Sequence, residues 1–262
     1  MIIGYAQTDT RFGEKEFNFS QAAELLKDVK ADLIVLPELF ATGYTFVSKE
    51  EAADLAEELD GPTMLFLKGL AQKTGGVLAA GFVEKEGTKI YNSQALVSEK
   101  GVIGVYRKLH LFNREKLWFT PGNLPLKVYR VKGVEIGMMI CFDWIFPETA
   151  RTLALLGADV IAHGANLVMP YCQKAMVTRC LENRVFAVTA NRIGREKRGE
   201  DDFTFTGASQ ITAFNGEALS SAPENRVFID MVEIEVERAR DKRINKFNDV
   251  LADRRKEFYP EP

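Results

Sequence analysis

Short apolar runs, each closed by a proline or a polar residue, recur along this chain with helical patterns between them. The run 33–36, which is closed by Pro37, ends in the way that a central strand of an α/β sheet ends. No run approaches the roughly 18 uncharged residues that a membrane-spanning helix needs. Even the richest segment, 134–146, contains Glu135 and Asp143. The pattern therefore predicts an α/β protein and excludes a membrane as its partner.

Alternating and helical periodicities predict where the elements lie along the chain. Strands are predicted at 2–7, 32–37, 77–84, 90–98, 102–106, 126–130, 134–140, 160–162, 185–190, 206–214 and 227–235. Helices are predicted at 17–29, 51–59, 62–74, 147–156 and 175–183. We expect a single domain over 1–262, with a core of 1–237 and a charged C-terminal tail of 238–262 that carries a few aromatic residues.

The two halves of the chain resemble each other in the order of their elements. Lys-Ala-Asp-Leu-Ile at 30–34 matches Gly-Ala-Asp-Val-Ile at 157–161, and each segment follows a predicted helix. In the same comparison, 4–7 takes the place of 137–140. This order predicts a pseudo-twofold internal repeat, in a β-rich sandwich with helices on both outer faces. Chance reuse of similar strand endings is the alternative.

Composition restricts the class of protein and its partners. The chain of 262 residues is 46% apolar and 27% charged, so it has enough apolar surface to form a core. Its 34 basic and 37 acidic residues give a net charge of -3, which argues against a nucleic-acid partner. The basic stretch 192–198 is followed by acidic 200–202, so we expect a solvated loop there. Three cysteines make no disulfide framework, and no basic leader precedes the first strand, so we expect a cytoplasmic protein.

Cys141 is the strongest candidate nucleophile in the sequence. It lies between the predicted strand 134–140 and the predicted helix 147–156, on a turn at the carboxyl end of a strand, where open α/β sheets bind ligands. Amides at a helix N-terminus would also favour a thiolate. A small buried packing residue is the alternative for a lone cysteine.

Two further polar residues follow predicted strands and could activate a thiol. Glu38 comes directly after the run 33–37, where a carboxylate is costly unless it is paired or functional. Lys108 follows the strand 102–106 and could donate to a developing oxyanion. A loop acid and a solvated basic residue are their ordinary alternatives. The two histidines, His110 and His163, keep a cysteine–histidine pair open as well.

Further motifs accompany these residues along the chain. The full set is Leu36-Pro37-Glu38-Leu39-Phe40, Tyr106-Arg107-Lys108-Leu109-His110-Leu111-Phe112, Arg114-Glu115-Lys116 with Phe119-Thr120-Pro121-Gly122, Ile140-Cys141-Phe142-Asp143-Trp144 with Phe146-Pro147-Glu148, Gly157-Ala158-Asp159, Ala165-Asn166, Leu181-Glu182-Asn183-Arg184 with Asn191, and Asp253-Arg254-Arg255. With these motifs the sequence resembles the nitrilase superfamily of carbon–nitrogen hydrolases over nearly its whole length. The likeness implies a four-layer αββα sandwich, a homodimer or higher homo-oligomer, no metal and no cofactor.

The resemblance also implies a role for each matching residue. Glu38 would be the general base and later the acid, and Cys141 would attack the substrate carbon. Lys108 would stabilise the tetrahedral intermediate together with a backbone amide, that of Phe142. Glu115, which by itself reads as part of a surface charge run, would orient the lysine and the substrate. Acyl-pocket residues are expected at Tyr44, Phe112, Phe142, Trp144 and Asn166; a structural role is expected for Glu182, and packing roles for Cys172 and Cys180.

The implied reaction is hydrolysis of a non-peptide C–N bond in a small molecule. Phe142-Asp143 after the nucleophile resembles the amidase, carbamoylase and small-nitrile branches, and the apolar pocket residues favour a short, uncharged acyl group. A small aliphatic amide is therefore the expected substrate. A nitrilase, an N-carbamoyl amine hydrolase and a non-enzymatic interaction protein on the same fold stay as alternatives.

Overall fold

The computed structural model describes residues 1–259, in which two six-stranded mixed sheets are stacked face to face. The strands are β1 (Ile2–Gln7), β2 (Leu33–Val35), β3 (Val77–Glu86), β4 (Lys89–Ser98), β5 (Gly101–Arg107), β6 (Val128–Val131), β7 (Val134–Ile140), β8 (Val160–Gly164), β9 (Phe186–Ala190), β10 (Arg195–Arg198), β11 (Asp201–Thr204), β12 (Gln210–Thr212), β13 (Ala218–Ser221) and β14 (Phe228–Glu233). Their order is β14-β1-β2-β3-β4-β5 in the first sheet and β13-β12-β9-β8-β7-β6 in the second.

Helices cover the outer face of each sheet. They are α1 (Lys15–Leu25), α2 (Lys49–Leu55), α3 (Pro62–Thr74), α4 (Glu115–Trp118), α5 (Pro147–Leu155), α6 (Cys172–Asn183) and α7 (Glu237–Arg240), with 3-10 turns at Cys141–Ile145 and Lys256–Phe258. Apolar residues of α1 and α3 pack on the first sheet, and those of α5 and α6 pack on the second. The largest apolar cluster fills the space between the sheets. The predicted α/β fold, an αββα sandwich, is confirmed.

The helix α3 shows how the sequence specifies these layers. Pro62 stands in its first turn, where a missing N–H costs nothing, and Gly75 closes it with a left-handed φ of 76°. Met64, Leu67 and Leu70 face the sheet and are buried. The helix predicted at 62–74 is confirmed. It was predictable because a local sequence signal marks its first residue and another marks its end.

The internal repeat is visible in the hydrogen bonds and in the strand register. Asp32 accepts a bond from the amide of Ile2 (2.8 Å), and Asp159 accepts the matching bond from the amide of Glu135 (3.0 Å). Gly4 lies opposite Ile34 in the first sheet, and 137 lies opposite 161 in the second. The segments paired by sequence are therefore structurally equivalent.

Several predicted elements differ from the structure in their bounds. The helix predicted at 17–29 ends at Leu25, and the one predicted at 51–59 runs from Lys49 to Leu55, after the Ser48 side chain caps its N-terminus. Of the strand predicted at 206–214, only Gln210–Thr212 forms a strand, β12. Gly207 and Ala208 have φ of 56° and 50°, which a strand cannot contain.

The loop predicted at 192–202 is wrong, because this segment contains the hairpin of β10 and β11. Arg192 is 1% exposed and forms an ion pair with Glu196, which is also buried. Its guanidinium lies over the ring of Phe205 at 4.1 Å. Two of the charged residues that the sequence predicts to be solvated, Arg192 and Glu196, are thus buried at the base of the hairpin. Elements α4, α7 and β13 were also missed, since each has only four residues.

Within residues 1–259, no helix combines the length and the apolar character that crossing a membrane requires. The predicted tail 238–262 begins within α7 and continues as turns to residue 259; its last three residues lie outside the described part.

Candidate active site

The three predicted strand-end residues meet at one edge of the sandwich. Glu38 follows β2, Lys108 follows β5 and Cys141 follows β7. Each side chain is nearly inaccessible, with exposures of 1%, 1% and 6%. Gly81 of β3 permits the approach of the Glu38 backbone, because a Cβ there would lie 2.6 Å from the Glu38 Cα atom. The two stacked sheets thus bring together residues from three separate parts of the chain.

A cluster of buried charges is centred on the ammonium of Lys108. Its Nζ donates to Glu38 Oε1 and to Glu115 Oε1, both at 2.7 Å. Asn92 on β4 also donates to Glu38 Oε1 at 2.7 Å, and the Tyr44 hydroxyl donates to Glu115 Oε1 at 2.6 Å. Burial would lower the pKa of Lys108, but the two carboxylates outweigh it and raise that pKa, so the ammonium stays charged. Burial also raises the pKa of Glu115 to about 7, against the opposing effect of Lys108.

Cys141 starts the 3-10 turn with a φ of 41°, a left-handed conformation that non-glycine residues rarely adopt. Burial raises the pKa of its thiol well above the ordinary value, and the nearby Glu38 carboxylate raises it further, while Lys108 lowers it. Burial therefore opposes the resting thiolate that helix amides were expected to favour. A protonated thiol needs a base at the moment of attack.

Glu38 has the free atom that such a base needs. Its Oε1 accepts both bonds described above, but its buried Oε2 has no hydrogen-bond partner in the described part of the chain. Lys108 has three N–H groups and uses two of them on carboxylates. The cluster can therefore offer a carboxylate acceptor and an ammonium donor to a molecule bound beside the thiol.

Neither histidine contacts the thiol. His163 is fully buried, and its Nε2 donates to the backbone carbonyl of Cys141 at 3.0 Å, while its Nδ1 faces the Thr189 hydroxyl at 3.2 Å. Burial lowers the pKa of His163, which favours the neutral ring. His110 pairs with Asp143 instead. The cysteine–histidine alternative has no geometric support, since His163 bonds to the backbone and not to the sulfur.

A small, mostly apolar cavity adjoins the thiol. Four predicted pocket residues line it with Cys141, and the fifth, Tyr44, lies instead against Glu115. The lining is formed by Phe112, Cys141, Phe142, Trp144, Asn166, Leu167, Val168 and Met169. Asn166 donates from its side chain to the backbone oxygen of Glu38 at 2.9 Å, which ties this wall to the charge cluster. The cavity suits a short apolar group placed next to the sulfur.

Several polar residues of the site were not predicted. In the sequence, Asn92 is only one residue of the predicted strand 90–98, and Asp143 is only part of the motif after Cys141. Glu196 was assigned to a solvated loop, but its Oε2 accepts bonds from the amides of Tyr44 and Thr45 at 3.1 and 2.9 Å. A polar side chain inside a predicted buried strand was the available signal for Asn92. Glu196 gave no such signal, because its neighbours are charged.

The packing and the site define a class of protein. The chain matches the family described as Carbon-nitrogen hydrolase over residues 2–244, and it belongs to that family, within the nitrilase superfamily. A protein of Pyrococcus abyssi (strain GE5 / Orsay) named Nitrilase is 48% identical over 261 residues, covering 98% of each chain. An (R)-stereoselective amidase of Pseudomonas sp is 33% identical over 260 residues, covering 97% of this chain and 92% of its own.

A solved structure has the same fold. The carbon-nitrogen hydrolase from Helicobacter pylori G27 superposes with a TM-score of 0.87 at 26% identity, covering 99% of this chain and 97% of its own. Together with the family match, these similarities identify the protein as a carbon–nitrogen hydrolase. The catalytic roles given to Glu38, Lys108, Glu115 and Cys141 stay predictions.

Replacing Tyr44 by phenylalanine should move the acidic limb of the pH–kcat/KM profile upward by about one pH unit. The Tyr44 hydroxyl donates to Glu115 and so lowers the pKa of that carboxyl. Without this hydroxyl, Glu115 protonates at a higher pH, and its ion pair with Lys108 is then lost at a higher pH as well. The profile is measured from ammonia release between about pH 5 and pH 9. Tyr5→Phe is the control, since its hydroxyl contacts Ser220. A limb that stays in place, or moves downward, contradicts this role.

Proposed function

We propose that the protein hydrolyses a small, uncharged primary amide to a carboxylic acid and ammonia through a cysteine thioester. The observation that carries the proposal is the small apolar cavity beside Cys141, next to the cluster of Glu38, Lys108 and Glu115. No charged side chain of the described residues lines this cavity, so a charged acyl group would lose its hydration without gaining a partner.

In the first half of the reaction, Cys141 Sγ adds to the carbonyl carbon while Glu38 takes the thiol proton. The remaining N–H of Lys108 and the Phe142 amide donate to the oxyanion. Glu38 then returns the proton to the amide nitrogen, the C–N bond breaks, and ammonia leaves a thioester on Cys141. In the second half, Glu38 deprotonates a water that attacks this thioester, the C–S bond breaks, and the thiolate recovers the proton as the acid departs.

A matched panel of substrates tests the acyl group. Acetamide, propionamide and butyramide should release ammonia, and succinamate, which has the chain length of butyramide and a terminal carboxylate, should react at least about 100-fold more slowly. Ammonia release and acid formation are followed together at equal substrate concentrations. Turnover of succinamate alone, or of long charged amides alone, refutes the proposal.

A small aliphatic nitrile is the second candidate substrate, and the 48% identical relative named Nitrilase favours it. Addition of Cys141 to a nitrile gives a thioimidate, which takes up water, loses ammonia and continues as the same thioester. Propionitrile and propionamide separate the two candidates, because they lead to one acyl-enzyme. A higher kcat/KM for propionitrile assigns the protein to nitrile hydrolysis, and a higher value for propionamide supports the amide.

We also propose that the chain works as a homodimer with its C-terminal tail at the interface. In the single chain, Phe247, Phe258 and Tyr259 are 82%, 68% and 53% exposed, an unfavourable arrangement for large apolar rings. Removing the residues beyond Lys246 should therefore lower the mass measured by sedimentation to that of a monomer. Leu65→Ser is the control, because it removes an exposed apolar side chain from α3 instead. An unchanged mass after truncation contradicts the proposal.

A further inference from the structure

Asp143 is a buried carboxylate that the reaction described above does not use. It lies in the 3-10 turn two residues after Cys141, and none of its surface is exposed. Its Oδ2 accepts the Tyr106 hydroxyl at 2.7 Å and the amide of Ile140 at 2.9 Å. Its Oδ1 accepts the backbone amide of His110 at 3.3 Å and lies 2.7 Å from Nδ1 of the same residue. An isolated buried carboxylate is costly, and here both oxygens are satisfied.

The partners of Asp143 come from two different catalytic segments. Ile140 directly precedes the nucleophile, whereas Tyr106 and His110 stand two residues before and two residues after Lys108. These two segments are more than thirty residues apart in sequence. One carboxylate therefore joins the turn that carries the sulfur to the strand end that carries the ammonium.

We propose that Asp143 is a positioning residue for C–N hydrolysis, which holds Cys141 and Lys108 at a fixed separation. Cys141 has a left-handed φ of 41°, and such a conformation persists only where surrounding bonds enforce it. Asp143 bonds the residue before Cys141, and His163 bonds the Cys141 carbonyl. Lys108 can stabilise the oxyanion only if the sulfur attacks at the correct place, so loosening this link lowers the rate of the chemical step.

Only a carboxylate satisfies this set of partners. The amides of Ile140 and His110 are obligatory donors, and they face opposite oxygens of Asp143. An asparagine of the same shape would place its own NH₂ group against one of them, whichever way its amide turned. Asp143→Asn therefore breaks the hydrogen bond to one of the two catalytic segments, while the volume of the side chain hardly changes.

The test compares Asp143→Asn with Asp159→Asn. Asp159 is also buried and caps a backbone amide, that of Glu135, but it lies at the opposite end of β7 from the site. Asp143→Asn should lower kcat about 100-fold with KM changed by less than about threefold, because a misplaced nucleophile impairs the chemistry more than binding. Alkylation of Cys141 by iodoacetamide should slow in the same variant. Asp159→Asn should lower the Tm but keep kcat within about twofold of the wild type.

Activity is expressed per mole of folded protein, measured by near-UV circular dichroism, so that unfolded protein does not enter the comparison. If Asp143→Asn then equals Asp159→Asn in kcat, or raises KM while kcat is unchanged, the positioning role is overturned. Should Asp143→Asn fail to fold, Tyr106→Phe removes one of the bonds and leaves the ring in the core. It should lower kcat roughly fivefold at constant KM, and an unchanged kcat overturns the proposal. If the wild type hydrolyses no amide, the proposed substrate fails, and the alkylation rates still decide the role of Asp143.

Discussion

Replacing Cys141 by alanine should abolish ammonia release, with a loss of at least about 10⁴-fold in kcat. The thiol is the nucleophile that the site offers next to the apolar cavity, and without it no thioester forms. Ammonia release from propionamide and the mass of the protein after rapid acid quenching measure the effect. The acyl adduct should appear on the wild type alone.

Cys180→Ala is the matched control for this prediction. Cys180 lies in α6 and is as fully buried as a core residue, but burial alone accounts for its raised pKa, and no charged group acts on it. Its loss should cost about 1–2 kcal/mol of unfolding free energy through a small cavity and leave kcat within about twofold. Residual turnover in Cys141→Ala together with an acyl adduct elsewhere in the chain would show that the nucleophile is assigned to the wrong residue.

The sequence predicts well where Glu38 and Cys141 stand in the fold, because local signals mark the ends of the strands that precede them. The run closed by Pro37 and the turn around Cys141 each show where a strand stops. β2 lies in the first sheet and β7 in the second, and the stacked sheets place both carboxyl ends at the same edge of the sandwich. The internal repeat is predictable for a similar reason. Asp32 and Asp159 hold equivalent positions in the two sheets, so both halves keep the same residue at the same point.

The remaining features depend on contacts in the folded chain that a local sequence pattern does not show. Glu115 reads as surface charge because its neighbours are Arg114 and Lys116. Its buried place comes from the bonds that it accepts from Lys108, Tyr44 and the amide of Phe112. Arg192 reads as solvated for the same reason. Local pattern reports whether a residue type fits an element, but it does not report which distant group will satisfy a buried charge. The functional role of Glu115 was predictable only from the resemblance to the superfamily, and the buried role of Arg192 was not predictable from it.

Replacing Glu38 by glutamine should lower kcat by about 10²- to 10⁴-fold, the range expected when a general base is lost. Glutamine can keep an oxygen in the place of Oε1 and so retain the bonds from Lys108 and Asn92. Its NH₂ group then occupies the place of Oε2, the atom that would take the thiol proton. The geometry of the cluster is kept while the base is removed, so kcat should fall far more than KM rises. Steady-state ammonia release from propionamide measures both constants.

Two variants make this prediction decisive. Glu57→Gln alters another buried carboxylate, one that is bonded to Lys15 at 2.5 Å and to the amide of Thr63 at 2.7 Å, and it should affect Tm more than kcat. His163→Ala removes the ring that a cysteine–histidine mechanism would need, but its Nε2 bonds only the Cys141 carbonyl, so we expect less than about a tenfold loss in kcat. The reverse order, with His163→Ala inactive and Glu38→Gln active, would assign the proton transfer to the histidine. The structure argues for the carboxylate, because a neutral ring bonded to a backbone oxygen has no lone pair directed at the sulfur.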